Sequence, residues 1–334
     1  MNNHINGLIS NTMKYYSATD VHDKLDFPAL IEALRIGFTE QYTIPHRMHL
    51  DYYNNQDDNQ NTLLLMPAVK CGEIAGVKIV NVASGNSKRN LPSIQGIYYV
   101  LDAISGIPKA LLDAKELTNW RTAASSALAA DYLAQIGARS LLMVGTGVLA
   151  PYIIKAHLAI RPIRELFVYG RNTEKARFIA QQHEGQFEKI TVVKNLREAV
   201  PKADIVSVAT LSATPLIKGA WLRPGQHIDL IGSFKPNMRE ADDDVLTQSK
   251  IYVDHIEMAP KESGDLAIPL SNNVISLNDI QGDLFQLCQK KVKGRISNDE
   301  ITVFKSVGHA LEDLVAAQLI LKTIDELDTN KPDS

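Results

Sequence analysis

The sequence predicts an α/β fold, a doubly wound parallel sheet joined to a second, α+β domain. Three observations predict it. Apolar strand-like runs alternate with helical stretches from Ser140 to Gly232, a glycine-rich turn follows the first of those runs, and within a mixed α and β domain of residues 1–115 the stretch from Thr62 to Asp113 breaks into short β-like runs punctuated by Gly and Pro. At 334 residues the chain is about twice the usual length of one domain.

Taken in order, Phe27, Leu30, Ile31, Leu34 and Phe38 fall at helical spacing behind Asp26, a capping residue, with Pro28 in the first turn. Residues 51–61, DYYNNQDDNQN, read as a polar turn. TLLLMPAV, IAGVKIVNV, GIYYVLD and IPKALLDA then read as strands of a largely antiparallel sheet. From Thr118 to Leu133 a helix rich in Ala and Ser admits close backbone approach and bridges the two domains. Beyond it come SLLMV, a helix near 148–160, ELFVYG, a helix near 173–183, ITVV, a short helix near 196–201, DIVSVAT and QHIDLIG. The segment from Asn298 to Leu327 has helical periodicity through Ile301, Phe304, Val307, Leu311, Leu314, Val315 and Leu319 and closes back on the first domain. The final DTNKPDS reads as frayed. The resulting division is 1–118 with 299–334, and 119–298.

Lys plus Arg total 35 against 38 Asp plus Glu, a net charge of −3, which gives no bulk attraction to nucleic acid or anionic lipid and leaves a small molecule as the partner. Cys71 and Cys288 lie too far apart for a CxxC or zinc motif, so no metal site is expected. MNNHINGLIS lacks a basic and an apolar signal region, and no apolar run approaches the roughly 18 residues of a membrane span, which predicts a cytoplasmic protein. The basic run KKVKGR at 290–295 reads as a solvated loop, and Asp242, Asp243 and Asp244 as a helix start.

The strongest motif is Gly145-Thr146-Gly147-Val148-Leu149-Ala150, directly after SLLMV and opening a helix. The first Gly permits a tight turn, the second lets a pyrophosphate approach the helix N-terminus, and Ala150 allows close packing: a Rossmann-type dinucleotide fingerprint. At the end of the next strand, where an acidic residue would bind the NAD ribose, stand Arg171, Asn172 and Thr173. Arg171 suits a 2′-phosphate, which favours NADPH, with NADH the alternative. Thr210 and Ser233 are further cofactor candidates. A second group is basic: Arg47 in PHRMHL, Lys78 in GVKIVNV and Arg121 in NWRTAA. Lys78 sits in an apolar strand, where an ammonium needs a charged ligand or a carboxylate partner. The three cations either clamp a small carboxylate or are ion-paired residues. His309 reads as structural or as a residue near the nicotinamide.

These segments together, PHRMHL, GVKIVNVASGN, LTNWRTAASSALAADYLA, VGTGVLA, VYGRN, IGSFKPNMRE and EITVFKSVGHALEDLVAAQL, resemble the ornithine cyclodeaminase and μ-crystallin family along nearly the whole chain. The resemblance implies a Rossmann domain and a second domain that binds substrate and forms a homodimer. It also implies that Arg47, Lys78 and Arg121 hold a substrate carboxylate, Lys78 and Arg121 acting in catalysis. Cyclodeaminases and the related alanine dehydrogenases carry GGDxPGK or GADxPGK after the fifth strand, with Asp as the acid/base. Here Gly232-Ser233-Phe234-Lys235-Pro236-Asn237-Met238 places Phe234 at that Asp and Met238 at that Lys. A phenyl ring cannot exchange a proton, so the resemblance points to NAD(P)H-dependent reduction of a cyclic imino acid, Δ1-pyrroline-2-carboxylate or its six-membered homologue, to L-proline or L-pipecolate. The alternatives are an ornithine cyclodeaminase in which Asp229, Glu240 or another acid substitutes, and a non-catalytic μ-crystallin-like binding protein.

Overall fold

The computed structural model describes residues 13–54 and 59–329. The chain divides into two compact units, Met1–Ala33, Glu40–Arg121 and Ala310–Ser334 in one, Leu34–Thr39 and Thr122–His309 in the other.

Among the described residues the first unit is built on six strands: β1 Lys14–Tyr16, β2 Met48–Asn54, β3 Asn59–Lys70, β4 Ile74–Ala83, β5 Ile94–Asp102 and β6 Pro108–Asp113. Their order is β1-β6-β5-β4-β3-β2, antiparallel except for the parallel pair of β1 and β6. The stretch 51–61 is not simply a turn, because Asp51–Asn54 and Asn59–Asn61 pair as a hairpin, with residues 55–58 outside the described residues. Polarity hid this edge hairpin: the Thr62 hydroxyl donates to its cross-strand partner Asp51 at 2.6 Å. The helix Ala310–Thr329 packs on β3 and β4. Of the segment DTNKPDS, residues 330–334 lie outside the described residues.

The second unit carries eight parallel strands: β7 Ser140–Val144, β8 Glu165–Tyr169, β9 Lys189–Val193, β10 Ile205–Val208, β11 His227–Leu230, β12 Lys250–Val253, β13 Ile280–Asp283 and β14 Thr302–Lys305. The order β13-β12-β14-β11-β10-β7-β8-β9 reverses direction between β7 and β10, the switch point of a doubly wound sheet. Val144, Val206, Ile228 and Val303 are buried in its core. The segment from Asn298 is not helical from its start, contrary to its periodicity. Thr302–Lys305 is a strand lying between β11 and β12, and the helix starts only at Ala310. Ile301, Phe304 and Val307 happen to share a spacing of three, but a strand buried on both faces needs no alternation. Residues 299–309 therefore belong with the parallel sheet. Residues 34–39 join it too, where Phe38 meets Phe285 edge-on at 4.9 Å and its carbonyl accepts from Gln289.

The helix near Asp26 forms as Phe27–Gly37, with the Asp26 carboxylate accepting from Ala29 N. The Ala-rich helix is Ala114–Leu133, of which 114–121 fall in the first unit and 122–133 in the second. Its C-terminal carbonyls are capped by Arg161, whose guanidinium donates to the oxygens of Ala130, Asp131, Ala134 and Gln135 and to the Asp131 carboxylate. Asp242 caps the helix Asp243–Thr247 as expected. The basic run is less solvated than its charge suggests, since Arg295 donates to the carbonyls of Leu133, Ser297, Glu300 and Gln226.

Candidate functional site

In the second unit the turn after β7 has the geometry the fingerprint demands. Gly145 adopts φ +123°, donates its N–H to Tyr169 O at 2.9 Å, and would drive any Cβ into the Ala209 carbonyl. A Cβ on Gly147 meets nothing within 4 Å, so that face is open to an incoming group. The following helix, Ala150–Ile160, starts without a side-chain cap; Ala150 N–H donates to Gly147 O at 3.1 Å and Pro151 carries no N–H, so what the turn offers an anion is the positive end of the helix dipole. Ala150 is buried and Val148 exposed. These residues fit a dinucleotide pyrophosphate.

At the end of β8, Arg171 is exposed, Asn172 caps the helix Thr173–Gln182 by accepting from Lys175 N at 3.1 Å, and Thr173 is half-buried. Thr210 and Ser233 follow β10 and β11, and Glu240 ties both ends together. One carboxylate oxygen accepts from Thr210 N (2.7 Å) and Oγ1 (2.9 Å), the other from Gly232 N (2.8 Å) and Ser233 N (3.1 Å). Ser233 is fully buried. Its hydroxyl donates to Met238 O at 2.6 Å and meets Ser263 Oγ at 3.0 Å, so its polar side chain works inside the fold. Burial, with Asp265 adding, pushes the Glu240 carboxyl up to about 7 against the pull of Lys305 and Thr210.

Neither acid named as a substitute for the family Asp is open for that role. Asp229 is fully buried on β11, where it accepts from Ser126 and Ser207 and meets His157 Nε2 at 3.4 Å. Burial opposes its charge, but His157, His227 and Ser126 outweigh burial and hold the carboxyl below its usual range. Glu240 is occupied by the four donors above. Phe234 itself is 40% exposed. His309 is buried, stacked on His255 at 4.9 Å and edge-on to Phe285 at 5.3 Å.

In the first unit the basic residues converge. Lys78 on β4 is 3% exposed, and its ammonium lies 2.8 Å from Asp313 Oδ2 and 2.9 Å from Oδ1. Arg121, near the middle of the helix Ala114–Leu133, pairs through NH1 with Glu312 at 2.7 Å and through Nε with Asp313 at 3.1 Å. Burial, then the charges of Arg121 and, more weakly, Arg47, pull the Lys78 ammonium down to about 8, while Asp313 holds it up. Arg47 is half-buried and within electrostatic reach of Lys78. Tyr98, the register partner of Lys78, is fully buried with its hydroxyl over Gly76. Glu312 and Asp313 escaped the sequence reading. The signal for them was the demand of Lys78 for a carboxylate and two adjacent acids inside the apolar stretch ALEDLVAA.

Among the described residues no group of three or more His, Cys, Asp or Glu could hold a metal ion, and no helix is long and apolar enough to cross a membrane.

A parallel sheet with a glycine turn at its switch point, in a chain whose other unit buries Lys78 and Arg121 against Glu312 and Asp313, defines an α/β protein of the dinucleotide-binding class. The chain belongs to the ornithine cyclodeaminase/mu-crystallin family, whose sequence model matches residues 10–327. A Δ1-pyrroline-2-carboxylate reductase of Paracoccus denitrificans is 35% identical over 316 residues, covering 94% of this chain and 98% of its own. The Δ1-pyrroline-2-carboxylate reductase of Thermococcus litoralis, solved with NADH and L-proline, superposes with a TM-score of 0.88 at 32% identity, covering 95% of this chain and 98% of its own. An archaeal alanine dehydrogenase dimer with bound NAD superposes with a TM-score of 0.87 at 26% identity, covering 96% and 98%.

Proposed function

We propose that the protein reduces a cyclic imino acid, Δ1-pyrroline-2-carboxylate or its six-membered homologue, with NADPH as the favoured reductant. The observation that carries this reading is the side chain at the family's acid/base position. Phe234 stands there, and the nearby acids Asp229 and Glu240 are buried among their own donors. Deamination of an amino acid needs that proton exchange, whereas an imine needs only a hydride and one proton.

The dinucleotide, when bound, supplies the hydride. Gly145, Gly147 and the helix N-terminus at Ala150 hold its pyrophosphate, with Thr146, Val148 and Leu149 completing the turn. Arg171, beside Asn172 and Thr173, offers a charge to a 2′-phosphate and no carboxylate to repel it, which supports NADPH. Thr210 serves through a strand end fixed by Glu240. Arg47 and Arg121 orient the substrate carboxylate, and Lys78 donates to the ring nitrogen. Fixing an already electrophilic imine supplies much of the catalysis.

The unit built on β1–β6 is the part that binds substrate and forms a homodimer, and the unit built on β7–β14 holds the dinucleotide. Support for a dimer comes from the sheet itself. Met48 and Leu50 are 59% and 56% exposed on β2, on the same face as their cross-strand partners Leu65 and Leu63, with Ile97 further along that face. Cys71 and Cys288, not joined in a disulfide, accord with a reducing cytoplasm.

The test is loss of nicotinamide absorbance with NADPH, and in parallel NADH, on adding Δ1-pyrroline-2-carboxylate, beside an ammonia assay with L-ornithine. Imine-dependent oxidation without ammonia is expected. Protein that binds the dinucleotide but oxidises none of it with the imine refutes the reading, and ammonia from ornithine reassigns it to a cyclodeaminase.

A further inference from the structure

The buried pair of Lys78 and Asp313 goes beyond anchoring a carboxylate. Both side chains are almost wholly out of water; Asp313 Oδ1 accepts from the Lys78 ammonium at 2.9 Å, while Oδ2 lies 2.8 Å from that ammonium and Arg121 Nε 3.1 Å from Oδ1 as ion-pair contacts. Thr118 Oγ1, 3.5 Å from the ammonium, already donates to Ala114 O, so towards Lys78 it can only accept. Arg121 and Arg47 repel the ammonium. Glu312 sits on Arg121, and burial keeps the Tyr98 phenol protonated. Of these groups Asp313 alone supplies a carboxylate to Nζ itself.

We infer that Asp313 is the positioning residue of the reduction, holding the Lys78 ammonium charged and aimed so that Lys78 can give up a proton to the substrate nitrogen. This rests on the reading of the protein as an imine reductase. The imine carbon takes the hydride of the reduced dinucleotide, which is oxidised. The C=N π pair moves to nitrogen, a new N–H bond forms with the Nζ proton, and the neutral Lys78 amine regains a proton from water. A buried lysine without Asp313 would lose its proton to the desolvation and the two guanidiniums around it.

The experiment compares wild type, Asp313→Asn and Asp313→Glu in kcat against pH from 6 to 10, with the dissociation constant for NADPH as a check of folding. In Asp313→Asn the alkaline fall of kcat should move to lower pH by about one to three units, the effect of losing one adjacent opposite charge. KM for the imino acid should change less, and Asp313→Glu should move back towards wild type. An unmoved alkaline limb in a folded Asp313→Asn overturns the inference. A second readout needs no substrate: in protein labelled at lysine Cε, the Lys78 resonance, assigned with Lys78→Arg, should titrate in wild type at higher pH than in Asp313→Asn. A Lys78 titration unmoved by Asp313→Asn overturns the inference, because Asp313 then does not support the charge. Wild type that shows the higher titration but no imine-dependent oxidation overturns the functional reading alone.

Discussion

Replacing Lys78 by Met should change how stability depends on pH. Burial brings the ammonium from 10.5 to about 8, and at about 1.4 kcal/mol per pH unit that difference is a penalty of about 3 kcal/mol on the folded, charged state. Below pH 8 the lysine is protonated in both folded and unfolded chains, and the full penalty is present with no slope. Between 8 and 10.5 the unfolded chain holds a proton that the folded chain has released, so stability rises with pH. Urea unfolding of wild type and Lys78→Met, measured in steps from pH 7.5 to 10.5, isolates this residue because every other titrating group is common to both. Wild type should gain about 3 kcal/mol relative to the variant across the window. A difference constant to within roughly 0.5 kcal/mol would refute the burial argument.

Arg171→Ala should lower kcat/KM for NADPH about tenfold or more while leaving NADH little changed, measured by steady-state kinetics with both dinucleotides. Arg161→Ala should cost about 3 kcal/mol or more in urea unfolding, since it strips a buried donor from the end of the helix Ala114–Leu133 and leaves Asp131 with Arg35. Leu50→Lys, on the exposed face of β2, should halve the mass seen by light scattering if that face joins two copies, and leave the far-ultraviolet spectrum unchanged.

What could be read from the sequence was local. Gly145 and Gly147 announce a backbone geometry that only glycine adopts easily, so the dinucleotide turn is legible from six residues. The apolar strands β7, β8, β10 and β11 are legible as runs too short for helices. The edge hairpin was hidden because Asp51 and Thr62 satisfy each other across strands, and β14 because its apolar residues mimic a helix. β12 and β13 are not legible as apolar runs: KIYV opens on a lysine, and IQGD has one large apolar residue among Gln, Gly and Asp. At the site, the cost of burying Lys78 in an apolar strand could be argued without coordinates, and a carboxylate was one of its two expected answers. Which carboxylate could not be known, since Asp313 lies 235 residues away and an acid on an amphipathic helix ordinarily faces water. The place of Ser233 beyond a strand end is legible, but the inward turn of its hydroxyl to Met238 O depends on packing that no spacing signals.

The first unit takes its strands from one end of the chain and its closing helix from the other. During synthesis, β4 and Arg121 therefore emerge long before the helix that carries Glu312 and Asp313. Until residue 313 arrives, Lys78 and Arg121 are cations with no carboxylate from that helix, and the apolar face of β3 and β4 lacks its cover. The parallel-sheet unit draws nearly all its residues from one continuous stretch and can assemble first. Completion of the charge network around Lys78 thus waits for residues 312 and 313 and is slowed by the length of the loop it must close.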